Sequence, residues 1–220
     1  MARKRKKFDT DTWLTPPSQL ELVRKLWKTI ALDPFHNPKS YVKAKRRYDL
    51  TKGQDAYELP WVDKTFANGG YSGKNPQRTA VKCAEEARLK HRVLNLAPAA
   101  PGSKYWKENV WQDAAAIAWL GRLAFVAPQD VYDGEGTLVA KAGAEIKGNR
   151  TEIALVDYGP AREAKKFKKL YEAAGYPVSL MDDPTWGKSR VRVNNPVVVL
   201  PELYIEDGEP VMRLKARLLR

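Results

Sequence analysis

Cysteine and histidine are nearly absent from the 220 residues: Cys83 is the one thiol, and His36 and His91 are the only imidazoles. A single thiol closes no internal disulfide, and this set is too small for a thiolate or histidine-rich metal centre. Cys83 suits a reducing cytoplasm, and within the helix-like run "TAVKCAEEARLK" it reads as a packing residue. No serine sits in a G-x-S-x-G elbow, and "NGGYSGKN" lacks the lysine-and-serine ending of an ATP-binding phosphate loop. Hydrolases of the serine, thiol and metal types are thereby disfavoured. Long apolar runs are missing too, and "MARKRKKF" has neither the apolar core nor the cleavage site of a secretory signal. The expectation is a soluble, cytoplasmic protein.

Positive charge is what the chain has in excess. Against 26 Asp and Glu stand 39 Lys and Arg, a formal net charge of +13. Such a field favours polyanionic partners, and 7 Trp with 10 Tyr offer stacking faces for bases. Nucleic acid is the partner these features suggest. Residues 1–10 read as a basic tail, either an arm that gains phosphate contacts or a solubilising terminus.

The length allows one well-buried domain with an appended element. Ser18 and Glu21 have capping-box spacing, and Val23, Leu26, Trp27 and Ile30 share a helical face, so a short amphipathic helix is expected from near Ser18 to before Ile30. "TIALDPF" reads as a buried strand with Asp33 at its carboxyl end, where Pro34 prevents further ladder bonding. Residues 38–60, with "KAKRR" and "GQDAYELPW", read as irregular loop with at most a helical turn. "KTFAN", "NPQRTAVKCAEEARLKH" and "RVLNLAP" then give strand, helix and strand, the alternation of a parallel sheet covered by helices. A helix at "SKYWKENVW", strand and turn at "AAAIAWLGRLAFV", and a strand at "TEIALVDYG" follow. Residues 127–150, rich in Gly and charge, read as a mobile loop or hairpin on the binding face.

Near Pro160 the character changes. "AREAKKFKKLYEAAG" places Phe167, Leu170, Tyr171 and Ala174 on one helical face and lysines on the other, which are either a solvated surface or a phosphate-binding one. β-rich stretches with a turn at "EDGE" follow, so 161–220 is expected to be a basic helix and a small β-rich extension. No internal repeat is evident.

The loop in "KTFANGGYSGKN" is, as a bare pattern, a turn. In order along the chain, however, "DTWLTPP", "LDPF", "FANGGYS", "LNLAP" followed by "KYW", "GRLAFV" and "IALVDYGP" together resemble the phage-type Dam-like DNA adenine-N6 methyltransferases. The resemblance covers most of residues 11–160, which it marks as a methyltransferase-like domain; nothing carries over to 161–220. It implies an α/β, Rossmann-like methyltransferase fold, mainly a parallel sheet flanked by helices. Further implications are S-adenosyl-L-methionine as cofactor, DNA as substrate, and DNA modification of the restriction-modification kind, in the host cytoplasm where the protein is phage-encoded.

The resemblance also implies site residues. Trp13, Thr15 and Pro16 lie in the segment matching the one near the cofactor's methionine part, although "TPP" equally suits a helix start. Asp33 and Phe35 match the strand end beside the cofactor, and Asp55 matches an acidic position near its adenine; each aspartate could instead cap its own turn. Asn68, Gly69, Gly70 and Tyr71 match the base-gripping loop, normally Asn or Asp, Pro, Pro, aromatic. Adenine must leave the duplex stack before its amino group can react. Tyr71 could replace the lost stacking, while the Asn68 amide oxygen and the Gly69 carbonyl accept hydrogen bonds from the amino group.

The departures are specific. Gly69 and Gly70 replace two stiffening prolines, which implies a freer loop and a roomier pocket. "LAPAAPGSKYW" lacks an Arg commonly found after Pro-Ala in relatives, and "DPFHNPKS" lacks a glycine-rich cofactor loop. Three readings therefore stand: an adenine-N6 methyltransferase, an inactive DNA-binding relative acting as decoy or regulator, and an enzyme with altered base or cofactor specificity.

Overall fold

The computed structural model describes residues 10–132, 135–146 and 151–181, and the backbone of 197–206 and 209–218. The basic tail, apart from Thr10, lies outside the described residues, as does the centre of the "EDGE" turn.

Helix α1 spans Pro17–Trp27 and buries Leu20, Val23, Leu26 and Trp27. The expected Ser18–Glu21 capping box does not form, because the helix begins two residues earlier than a Ser18 cap would start it. Pro16, at φ −65° and ψ 145°, is the N-cap, and its carbonyl accepts from Gln19 and Leu20 at 3.1 and 3.3 Å. Pro17 fills the first helical position, where its missing N–H costs nothing and its ring pre-sets φ. Ser18 is thus inside the first turn.

Strand β1 (Ile30–Asp33) follows, then β2 (Ala44–Arg47), β3 (Thr65–Ala67), α2 (Asn75–Arg88), β4 (Val93–Pro98), α3 (Lys104–Asn109) and β5 (Ala116–Gly121). The pairs β6 (Phe125–Val126) with β9 (Glu145–Ile146), and β7 (Val131–Tyr132) with β8 (Leu138–Ala140), make small antiparallel ladders. Residues 127–150 are therefore a hairpin where described. β10 (Ile153–Asp157), α4 (Ala161–Ala173) and β11 (Val178–Leu180) complete the main unit.

Seven strands form one sheet in the order β11-β5-β10-β4-β3-β1-β2. Parallel pairing joins β2, β1, β3 and β4, while β10 is antiparallel to both β4 and β5, and β11 to β5. Five strands thus run one way and two the other, a mixed α/β architecture that is mostly parallel. From β1 the chain moves outward to β2 and then returns to β1's other side as β3. That reversal leaves a crevice at the carboxyl ends of β1 and β3, where ligands bind in open α/β sheets.

The strand β2 is a correction to the irregular segment expected over 38–60. Only Ala44 turns inward; Lys45, Arg46 and Arg47 are exposed. An edge strand covers one neighbour and faces water elsewhere, so it carries no apolar alternation, and basic side chains on an edge discourage further pairing.

Helix α4, which lies beyond the boundary expected at 160, packs on the main sheet. The stripe on α4 buries Ala164, Phe167 and Tyr171 in the cluster that contains Leu20, Val23 and Leu26 of α1, with the rings of Phe167 and Tyr171 stacked 4.5 Å apart. Lys166, expected on a DNA-facing or solvated surface, donates to the Leu26 carbonyl at 3.0 Å. Arg92 joins Asp63 to Glu163 at the helix's first turn, and β11 adds an edge to β5. An amphipathic helix must bury its stripe somewhere, and the sheet face offers the partner. The chain divides into two compact units, Met1–Lys188 and Ser189–Arg220. In the second, β12 (Val197–Glu206) pairs antiparallel with β13 (Glu209–Leu218) from Val197↔Leu218 to Glu206↔Glu209.

Among the described residues no helix is long and apolar enough to cross a membrane. Phe167 is fully buried, so Phe167→Ala should cost about 3–5 kcal/mol of stability in urea unfolding of the full chain. An unfolding curve that matches the wild type would show that α4 is peripheral to the core.

Candidate active site

Three segments meet at the crevice: the amino-terminal stretch 11–16, the turn after β1, and the turn after β3. Asn68 is the first residue beyond β3. Its Nδ2 donates to Thr15 Oγ1 at 3.0 Å, and its Oδ1 accepts from the Tyr71 hydroxyl at 3.2 Å. Held at both ends, the amide plane cannot rotate without breaking a hydrogen bond. Oδ1 keeps a second lone pair for another donor.

Tyr71 is anchored rather than free. Its hydroxyl also lies 3.4 Å from the Leu96 carbonyl, and its ring meets Phe125 edge-on at 5.8 Å. Burial pushes its phenol above the ordinary value, so it stays a neutral donor. A small cavity of about 10 Å³ lies between Asp11, Trp13, Asn68, Gly69, Tyr71 and Phe125. Trp13 packs on Phe125 at 6.1 Å and on the cluster of Ala127, Val131, Ala140 and Ile146, which connects the hairpin region to this cavity.

The two glycines are tightly packed, contrary to the roomier pocket their sequence implies. A Cβ on Gly69 would stand 2.5 Å from Thr79 Oγ1, and one on Gly70 would stand 2.5 Å from Asp11 Oδ2 and 2.9 Å from Asn75 Nδ2. Neither is in the left-handed region. Their role is close approach, and the volume they vacate is already filled.

Asp33 and Asn68 open into one cavity at the ends of adjacent strands, together with Asp11, Trp13, Thr15 and Phe35. Asp33 is buried, and Oδ1 accepts the Phe35 N–H at 3.2 Å. It therefore caps its turn and lines the cavity at once. Burial pushes its carboxyl up to about 7, against the lowering effects of the Phe35 N–H and the Arg47 charge. Oδ2 lies 3.7 Å from His36 Nδ1, and burial lowers the imidazole's pKa.

Beyond lies a cleft of about 460 Å³, within the size range of small-molecule sites. Phe35, Tyr57, Asp55, Asn68 and Gly70 are among its lining. Phe35 and Tyr57 approach at 5.3 Å, and the Arg78 guanidinium lies 3.8 Å over the Tyr57 ring. Asp55 also serves twice: Oδ1 accepts the Tyr57 N–H at 2.9 Å, while Oδ2 is 3.9 Å from Arg78. An apolar aromatic wall beside the Asp55 carboxylate fits a nucleoside with its ring on the wall and a hydroxyl or amino group on oxygen. Pro16 lines none of these spaces and serves as the N-cap of α1.

Two site residues escaped the sequence reading. Tyr57 had a local signal, an aromatic beside Asp55. Asp11 opens the "DTWLTPP" motif, but its role had no local signal: its carboxylate accepts from Tyr71 N at 2.6 Å, Ser72 N at 2.9 Å and Asn75 Nδ2 at 3.3 Å, and from the Ser72 hydroxyl. Those partners lie some sixty positions away, and "DTDTW" carries no periodicity that points to them.

The Asp33 carboxyl binds a proton in the folded chain up to about pH 7, whereas its ordinary value is 3.8. Between these values the folded state holds the extra proton, so this group makes stability fall as pH rises, levelling above about 7. Asp33→Asn should therefore gain stability over the wild type at about pH 8, with the gain shrinking toward about pH 4. Urea unfolding at several pH values checks this; a gain that does not vary with pH would sink it. Asp157, also raised to about 7 by burial, pairs with the amino-terminal ends of β4 and β5, and its contribution is common to both proteins.

No curated protein matches the chain. A family model described as DNA N-6-adenine-methyltransferase (Dam) matches residues 2–154, a span that contains the Asn68 amide, both aspartates and the aromatic wall. With the amide and the cleft placed together at the switch in strand order, and with the match covering most of its length, the chain belongs to the Dam family of DNA N-6-adenine-methyltransferases.

Proposed function

We propose that this protein transfers a methyl group from S-adenosylmethionine to N6 of an adenine flipped out of DNA, on a Rossmann-like framework. The carrying observation is the Asn68 amide, clamped by Thr15 and Tyr71 at the carboxyl end of β3 and opening toward the cleft beside Asp33. When bound, S-adenosylmethionine supplies an electrophilic methyl. Phe35 and Tyr57 provide a face for its adenine, and Asp33 and Asp55 accept from its hydroxyl or amino groups.

Asn68 Oδ1 and the Gly69 carbonyl accept the two N–H bonds of the target amino group and turn its lone pair toward the methyl. The nitrogen would become acidic only as the N–C bond forms and the sulfonium S–CH3 bond breaks, its electron pair staying on sulfur in the departing thioether S-adenosylhomocysteine, so a strong base is not required, and the proton leaves to solvent. Preorganised acceptors of this kind act because their dipoles need no reorientation during reaction. The formal charge of +13 suits a DNA substrate and implies salt-dependent binding.

A non-catalytic, DNA-binding relative is the second reading. It is favoured by the cavity beside Tyr71, which at about 10 Å³ has no room for a base as it stands. Under the enzymatic reading Trp13 or the Tyr71 loop shifts when the base enters, at a cost that adds to the few kcal/mol of unstacking.

Nucleoside mass spectrometry of DNA incubated with protein and S-adenosylmethionine should show N6-methyladenine, and Asn68→Ala should lower turnover by roughly 100-fold while leaving DNA affinity nearly intact. Calorimetry should find cofactor binding in the micromolar range. A folded protein with no modified base and no cofactor binding would establish the second reading instead.

A further inference from the structure

Asp11 lies in the short turn Thr10–Thr12, ahead of α1, yet its carboxylate serves the turn between β3 and α2. Oδ1 accepts the backbone N–H of Tyr71 at 2.6 Å and of Ser72 at 2.9 Å. Oδ2 accepts Asn75 Nδ2 at 3.3 Å and the Ser72 hydroxyl. Four donors from one turn converge on one charged group, and hydrogen bonds to an ionised acceptor are the strong ones.

Gly70 is what lets the carboxylate come so close. A Cβ at position 70 would stand 2.5 Å from Oδ2 and 2.7 Å from Cγ of Asp11. The glycine and the carboxylate occupy a space that a side chain at 70 and Asp11 could not share. The contacts continue into the site: the Tyr71 hydroxyl donates to Asn68 Oδ1 at 3.2 Å, and Asn68 Nδ2 donates to Thr15 of Asp11's own segment at 3.0 Å. One segment therefore holds both ends of the loop.

We infer that Asp11 is the positioning residue of the Asn68–Tyr71 loop: by fixing the Tyr71 backbone it keeps the Tyr71 hydroxyl on Asn68 Oδ1 and so orients the amide. The consequence for turnover rests on the reading that Asn68 receives the target amino group. The clamp itself does not. A loop with two consecutive glycines would otherwise lose much conformational freedom on ordering, and an external carboxylate supplies the rigidity that side chains within the loop cannot.

The test uses the full chain and four variants: Asp11→Ala, Asp11→Asn, Gly70→Ala, and Asp11→Ala combined with Gly70→Ala. Amide exchange at Tyr71 and Ser72, followed by NMR, should quicken by roughly tenfold or more in Asp11→Ala, while amides of β4 and β10 keep their protection. Asp11→Asn retains an oxygen acceptor and should recover part of it. Gly70→Ala should also quicken exchange, and in the double variant its effect should largely vanish, since the carboxylate it displaces is already gone. In methylation assays Asp11→Ala should lower kcat by roughly 100-fold with KM for DNA changed less than about twofold.

Unchanged exchange at Tyr71 and Ser72 in Asp11→Ala overturns the inference, as do strictly additive Gly70 and Asp11 effects. A loss confined to KM overturns its functional half. If Asp11→Ala fails to fold, Asp11→Asn and Gly70→Ala decide by the same exchange comparison. A wild type that forms no N6-methyladenine refutes the proposed activity, while the exchange data still decide for or against the clamp.

Discussion

The hydrogen bonds that the turn between β3 and α2 donates to the Asp11 carboxylate are the constraint around which the site is arranged. That turn ends a three-residue strand and starts a fourteen-residue helix, with two adjacent glycines between. On its own such a segment is a flexible connection. The carboxylate ties its far end, Thr15 ties its near end through Asn68, and Asn37 anchors the same amino-terminal stretch by donating to the Thr12 carbonyl at 3.1 Å. Closing contacts across sixty residues is inexpensive, because loop-closure entropy grows only with the logarithm of length.

The sheet decides where this arrangement can act. β1 and β3 are parallel neighbours joined by a chain reversal, so both of their carboxyl ends deliver side chains into one crevice. Burial that makes the crevice a site also penalises charge there, which is why Asp33 holds its proton up to about 7. Asp33 and Asp55 each spend Oδ1 on a turn N–H, while Oδ2 lies 3.7 Å from His36 Nδ1 in one and 3.9 Å from Arg78 in the other.

Much of the fold was legible because it rests on local pattern. The helices α1 and α2 and the strands β1, β3 and β4 follow from periodicity and from Pro and Gly at their ends. The strand β2 was not legible, since an exposed edge has no apolar alternation to read. α4 was placed outside the main domain because its lysine-rich face dominates the composition, although its buried Phe167 and Tyr171 are what attach it to α1. The capping box failed against Pro16 and Pro17, whose fixed φ outranks a serine's preference for the cap.

The sequence by itself determined the residue types at the site, the order of motifs and the strand ends on which Asp33 and Asn68 sit, because these depend on neighbours close along the chain. Only the tertiary structure decided what Gly69 and Gly70 mean. Read along the chain, they are a loss of stiffness; read in space, they are the clearance that brings Thr79 and the Asp11 carboxylate against the backbone. No local pattern reports which distant side chain will occupy the place of a missing Cβ. That depends on packing, where two atoms compete for one volume regardless of their separation in sequence.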